Sequence, residues 1–179
     1  EQVEVQGIAA EGKCIAKVDE QVIFIEKVAP GDVVDVLITR KKPNFMEGTP
    51  VHFHSFSPDR VDPFCEHFGT CGGCKWQHIP YPIQLKYKHQ QVVDNLQRIA
   101  KVELPEIHPI LGSSKTRHYR NKLEYTFTNW KWLTQDEIES DRAIDRRALG
   151  FHIPGRFDKI LQIKNCYHQP EPSNQIRLA

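Results

Sequence analysis

The stretch Cys65-Glu66-His67-Phe68-Gly69-Thr70-Cys71-Gly72-Gly73-Cys74-Lys75-Trp76-Gln77-His78 organises the chain. Three of the five cysteines fall in it, spaced C-x5-C-x2-C. Gly72 and Gly73 permit a tight backbone turn, which gathers neighbouring thiolates round one centre. Three local sulfurs are an incomplete shell, so a fourth ligand is expected from elsewhere. Cys166 is the first candidate, with His67 and His78 behind it. Soft thiolate sets suit an iron–sulfur cluster or zinc. Zinc sites usually come as paired short spacings. A triplet followed by one distant cysteine fits a cubane cluster better, and zinc remains the alternative.

The 179 residues suffice for one large domain or two small ones. With 39% hydrophobic and 26% charged residues, the composition is that of an ordinary globular protein. No apolar run approaches the length of a membrane span and no signal peptide is evident. A glycine-flanked cysteine cluster without secretory features reads as metal binding inside the cell rather than a disulfide framework. A cytoplasmic location, no membrane partner and a monomeric state are therefore expected. The net charge of +1 conceals an asymmetry, with a balance of −3 over residues 1–57 and +4 over residues 58–179. That is no basic arm, so any nucleic-acid contact must come from local patches.

Residues 1–57 read as a small all-β unit. Apolar alternations at Val3–Ile8, Cys14–Val18, Val22–Ile25, Val33–Thr39 and Val51–Phe56 are separated by turn signals, among them Pro30-Gly31-Asp32. About five short strands predict an OB-like barrel. Arg40, Lys41 and Lys42, followed by Pro43 and Phe45, are its most basic spot. Cations beside an aromatic fit single-stranded RNA, and a solvated hairpin tip fits equally well.

Ser57–Pro63 reads as a linker. Apolar positions Leu85, Val92, Val93, Leu96, Ile99 and Ala100 recur at helical spacing over 81–101, which predicts a helix with a core-facing stripe. Lys115, Arg117, Arg120 and Lys122 lie in a segment with no acid that leads into a predicted strand at Leu123–Thr128, a plausible phosphate-gripping edge. Residues 129–147 read as a charged excursion, with Glu137, Glu139 and Asp141 set against Arg142, Arg146 and Arg147. Strands are predicted at Leu149–Ile153 and Ile160–Ile163, the second delivering Cys166. The predicted fold is thus mainly β with α+β: a five-stranded OB-like barrel followed by a small α+β domain that carries a cysteine-ligated cluster.

Cys71-Gly72-Gly73-Cys74-Lys75-Trp76-Gln77-His78, continuing to Tyr81, Gln84, Leu85 and Lys86, resembles the iron–sulfur motif of the RNA uracil-5-methyltransferases. The resemblance implies a [4Fe–4S] cluster held by Cys65, Cys71, Cys74 and Cys166. It also implies S-adenosylmethionine as methyl donor to carbon 5 of a uridine, in ribosomal RNA or alternatively in transfer RNA. Glu11-Gly12, Val22–Ile25 and Pro30-Gly31-Asp32 resemble a TRAM domain, the RNA-binding barrel at the start of that family. Tyr119-Arg120-Asn121-Lys122 resembles a segment opening the family's central sheet.

On this resemblance residues 1–57 are a TRAM-like barrel, 58–170 the iron–sulfur and central α+β domain, and 171–179 the start of a catalytic domain. The family's chemistry needs a nucleophilic cysteine, a base and a doubly wound domain for S-adenosylmethionine. No Gly-rich strand-turn-helix unit occurs in these residues. The chain by itself is therefore expected to bind RNA without methylating it. A free-standing, metal-stabilised RNA-binding module is the competing expectation. A radical enzyme is a poorer match, because such enzymes show C-x3-C-x2-C and leave one iron without a protein ligand.

Overall fold

The computed structural model describes residues 2–140 and 142–179; Asp141, set above among the acids of the charged excursion, lies outside the described residues. The architecture is mainly β with few helices, in two compact units. One comprises Glu1–Asp62 with Trp76–Gly112, the other Pro63–Lys75 with Ser113–Ala179. No helix among the described residues is long and apolar enough to cross a membrane.

The first unit is a sheet of β1 (Gln2–Glu4), β2 (Gly7–Ile8), β3 (Cys14–Val18), β4 (Gln21–Ile25), β5 (Val33–Lys41) and β6 (Phe45–Ser55), in the order β1-β5-β6-β4-β3-β2. The single strand predicted over Val3–Ile8 is two. Its first half pairs with β5 and its second with β3, and the switch occurs at Val5 and Gln6. Val5 N donates to Asp32 O at 2.9 Å, and Gln6 N donates to Ile15 O at 2.7 Å. One extended segment therefore joins both ends of the sheet and closes it, which is how a small barrel removes its edges. The period-2 alternation of β3 and β4 points Cys14, Ala16, Ile23 and Ile25 inward. They meet as cross-strand pairs, Cys14 with Ile25 and Ala16 with Ile23. Gly48 of β6 is required by packing, since a Cβ there would stand 2.3 Å from Val36 Cγ1.

Asp32 carries the turn at Ala29–Asp32. Its side chain is fully buried. Oδ2 accepts from Ala29 N at 2.6 Å and Oδ1 from Ser57 N at 2.9 Å. Arg60 supplies a two-point grip, Nε to Oδ1 at 2.8 Å and Nη2 to Oδ2 at 2.7 Å. The turn signal at Pro30-Gly31 is thereby tied to the chain leaving the barrel.

The same unit contains α1 (Tyr81–Asp94), extended by one π-helical turn over Asn95–Ile99. The expected core stripe is not a core. No residue of either segment is buried, and Val92 is 52% and Ile99 77% exposed. Within the unit the helix packs through Tyr87, whose ring lies 3.6 Å from where a Cβ on Gly7 would be, and through Leu85 against Gly112. Helical period marks an apolar face but cannot say what covers it.

The second unit has an antiparallel sheet of β7 (Thr126–Thr128), β8 (Ala148–Ile153) and β9 (Arg156–Gln162) in that order. The strand expected from Leu123 shrinks to three residues. Ile153, Leu161, Ile163 and Cys166 form its core. Gly150 admits no side chain, because a Cβ would stand 1.9 Å from Leu161 O. The charged excursion contains α2 (Gln135–Glu139), opened by a capping box between Thr134 and Glu137. The last element is α3 (Ser173–Leu178).

Replacing Asp32 by Ala strands the Arg60 guanidinium and should cost about 3 kcal/mol, the range for breaking a buried pair. Burial works to raise the Asp32 pKa, but the Arg60 grip and the Ser57 and Ala29 amides outweigh it and hold the carboxyl below its ordinary 3.8. A depressed carboxyl contributes stability that is full above the unfolded value and drains as pH falls through the folded one. Native-state hydrogen exchange at the Ile23 and Ile25 amides should therefore show lower protection in Asp32→Ala at pH 7. The gap between variant and parent should narrow as the pH falls below the ordinary 3.8.

Candidate metal centre and cationic surfaces

Residues 65–74 form a run of turns in which backbone groups bond locally. Phe68 N donates to Cys65 O at 3.0 Å and Cys71 N to His67 O at 2.8 Å. The left-handed residue of this loop is Gly69, at φ +86°, not Gly72 or Gly73. Gly72 has a different reason: a Cβ would stand 2.9 Å from His152 O, where the loop crosses β8. Gly73 N donates to Cys71 Sγ at 3.3 Å.

Cys65, Cys71, Cys74 and Cys166 lie in the same unit and none is in a disulfide. Burial pushes the Cys71 thiol up to about 11, and negative charge on Cys74, Cys65 and Cys166 pushes the same way. Burial likewise raises Cys65, with Cys166 adding to the rise. The four sulfurs thus share one electrostatic neighbourhood, a set that gains from a cationic centre. Their donor type fits a soft metal or an iron–sulfur centre. Among the described residues no group of three or more His, Cys, Asp or Glu side chains is placed so as to hold a metal ion as it stands.

Cys14 stands apart. It is 1% exposed in the barrel, its Sγ donates to Val28 O at 3.1 Å, and burial drives its pKa up to about 12. The reserve histidines are otherwise engaged. His67 Nε2 accepts from Lys164 N at 2.9 Å, and burial lowers its pKa. His78 belongs to the barrel unit, where Nε2 donates to Val28 O at 3.0 Å.

The placement of Cys166 depends on residues that spacing did not reveal. Asn174 of α3 is 6% exposed; its Oδ1 accepts from Cys166 N at 2.9 Å, and its Nδ2 donates to Cys166 O at 3.2 Å. Arg177 donates to Ile163 O and to Lys164 O. His168 Nε2 lies 3.2 Å from Cys74 Sγ. An Asn eight residues after a cysteine carries no recognised signature, so only the fold exposes this clamp.

The cations divide between the two units. Arg40 and Lys41 end β5 and Lys42 enters the hairpin turn, all exposed. Arg40 Nη1 reaches Glu47 at 3.5 Å, a carboxylate that also takes Lys13 Nζ at 2.8 Å. Phe45, the aromatic expected beside them, is half-buried and packs edge-on to Phe24 at 5.6 Å. In the second unit Lys115, Arg117, Arg120 and Lys122 are exposed. Their segment is fastened next to Cys166, with His118 N donating to Tyr167 O at 2.7 Å and Arg120 N to His168 O at 2.8 Å. Arg117 lies over the Phe64 ring at 3.9 Å, and Lys122 pairs with Glu124 at 2.7 Å in full solvent.

Residues 1–51 match the TRAM domain. A Bacteroides thetaiotaomicron protein described as an uncharacterized RNA methyltransferase is 59% identical over 173 residues, which is 96% of this chain and 38% of the relative. A Porphyromonas gingivalis protein of the same description is 51% identical over 98% of this chain and 39% of its own length. The chain is thus similar to RNA methyltransferases over nearly its whole length, and its first 51 residues match the TRAM domain. It spans less than two fifths of those relatives. A crystal structure of Pyrococcus abyssi tRNA (uracil-54, C5)-methyltransferase with S-adenosyl-L-homocysteine shares the fold, with TM-score 0.51 and 22% identity, over 97% of this chain and 34% of that one.

Asn174→Ala leaves the buried Cys166 amide and carbonyl without partners. The second unit should lose about 1–3 kcal/mol, and the Cys166 amide should lose its protection in hydrogen exchange while Ile23 and Ile25 keep theirs.

Proposed function

We propose that this chain is the RNA-recognition and [4Fe–4S]-binding portion of an S-adenosylmethionine-dependent RNA uracil-5-methyltransferase that works in the cytoplasm on ribosomal RNA. The observation that carries the reading is the 59% identity to an RNA methyltransferase over 96% of this chain. Four cysteines in one unit, in the spacing that the family resemblance links to a cluster, support its finer part. Cys65, Cys71, Cys74 and Cys166 would hold the cluster, which with every iron ligated supplies structure rather than an open coordination site. Asn174 and Arg177 fix the backbone that presents Cys166. His67 ties the first turn of the loop to Lys164.

The basic segment 115–122 is anchored to the residues following Cys166, so the unit that holds the thiols also displays the cations. Those cations would grip phosphates. Catalysis is not assigned to these residues. Cys14 is buried and hydrogen-bonded within the barrel, and the other four cysteines are claimed by the cluster, so the chain supplies no nucleophile of its own.

Two measurements test the proposal. Anaerobically purified protein should be brown, with broad visible absorbance from thiolate–iron charge transfer. Cys166→Ser should lose that colour and Cys14→Ser should keep it. Colourless protein carrying one zinc would sink the iron assignment. Binding to ribosomal and transfer RNA fragments should weaken with salt. A Lys115→Ala, Arg120→Ala, Lys122→Ala variant, which spares the Arg117–Phe64 contact, should bind more weakly with a log–log slope flatter by about 0.7 per lost contact. Equal slopes for variant and parent would remove these residues from the interface.

A further inference from the structure

At the end of β6 the chain builds an aromatic stack that no sequence motif announces. Phe53 is half-buried and packs on the barrel core. Phe56 lies on it with ring centroids 4.9 Å apart and planes 27° from parallel. The Arg60 guanidinium completes the group, 5.3 Å from the Phe53 centroid and 5.1 Å from that of Phe56. Phe56 nevertheless remains 64% exposed.

Three planar groups thus meet at nearly equal separations, and the two aromatic ones are stacked. Each is held from below. Phe53 is set by its register opposite Val34 in the sheet. Arg60 is set by fully buried Asp32, which grips it through two hydrogen bonds. Ser57 N, next to Phe56, is bound by the same carboxylate at 2.9 Å. A large apolar ring kept in solvent by a rigid scaffold has little ordering cost left when a flat partner stacks on it.

We propose that the exposed face of Phe56, backed by Phe53 and Arg60, is a stacking platform for an unpaired base of single-stranded RNA. The inference rests on the RNA-binding reading above and adds a site that the cationic segments do not include. Charge favours this occupant over an apolar protein segment. At the other end of the same β5–β6 hairpin, Lys41 and Lys42 are exposed and make no ion pair among the described residues. The distance from that tip to Phe56, about 30 Å at ~3.3 Å per strand residue, suits a strand of several nucleotides. OB-type barrels cover about 4–16 nucleotides by joining a cationic track to stacked aromatics. Base-on-aromatic stacking tolerates any base, so the platform adds affinity without choosing sequence.

The test uses the anaerobically purified chain and a 5′-labelled oligouridine of about a dozen nucleotides, sized to that range. Phe56→Ala removes an exposed ring, so the fold should be unaffected and melting should match the parent. Its affinity should fall about tenfold, the scale of one lost stack, with the salt slope unchanged because no charge is lost. Phe56→Trp should restore binding and Phe56→Leu should not. A Lys41→Ala, Lys42→Ala variant should show the opposite signature, a flatter salt slope. RNA carrying 5-iodouridine should photo-cross-link to the peptide containing Phe56. If the parent binds and Phe56→Ala binds within twofold, the platform is wrong while the RNA reading stands. If Phe56→Ala instead abolishes self-association of the chain and leaves RNA binding intact, the stack is a protein interface. If the parent binds no RNA at all, both readings fall together.

Discussion

The first unit depends on one buried carboxylate. Asp32 has no exposed surface, and an ion of that size taken out of water is costly unless charge and hydrogen bonds replace its hydration. Here two backbone amides and a bidentate guanidinium do so. The consequence is geometric as much as energetic. The carboxylate binds the Ala29–Asp32 turn, the exit of β6 at Ser57 and the side chain of Arg60 at once. Through Arg60 it also sets the aromatic pair Phe53 and Phe56. The closing of the barrel at Val5 uses the neighbouring carbonyl, Asp32 O.

In the second unit the comparable constraint is a polar clamp from α3. Asn174 satisfies both backbone groups of Cys166, and Arg177 satisfies the carbonyls of Ile163 and Lys164. The two bonds to Cys166 are buried and the one to Ile163 is half-buried, so losing a partner there leaves a desolvated group at its full penalty, whereas the bond to Lys164 is exposed. Solvent-exposed pairs such as Lys122–Glu124 carry far less weight. The clamp explains how a cysteine some ninety residues from the triplet reaches the same neighbourhood. It also explains why Cys166 adds to the rise that burial imposes on the Cys65 and Cys71 thiols.

The charge pattern follows the same division of labour. With a net charge of +1 the chain has no global field to draw a polyanion. Its exposed cations are displayed at the tip of the β5–β6 hairpin and along residues 115–122. Part of the positive charge at the hairpin is spent internally, since Glu47 takes both Lys13 and Arg40. Formal charge counts along the sequence overstate what is available to a partner.

Much of the architecture is written in local pattern. Apolar alternation marked the barrel strands, Cys14–Val18 among them, and turn residues marked Pro30-Gly31-Asp32. The thiol spacing singled out a candidate donor set because chelation demands particular residue types at close range. Local pattern failed wherever the answer depended on what lies across the fold. The helix over 81–94 shows an apolar period yet buries none of it. Phe45, adjacent to the hairpin cations in sequence, is half-buried against Phe24, while Phe56, distant from them, faces solvent. Gly72 and Gly150 are glycines because a carbonyl from another strand passes where a Cβ would stand. Asn174 and Arg60 matter through partners 8 and 28 residues away. Sequence determines backbone preference and side-chain chemistry residue by residue. Burial, partners and the direction of a ring are set by long-range packing, which only the folded chain contains.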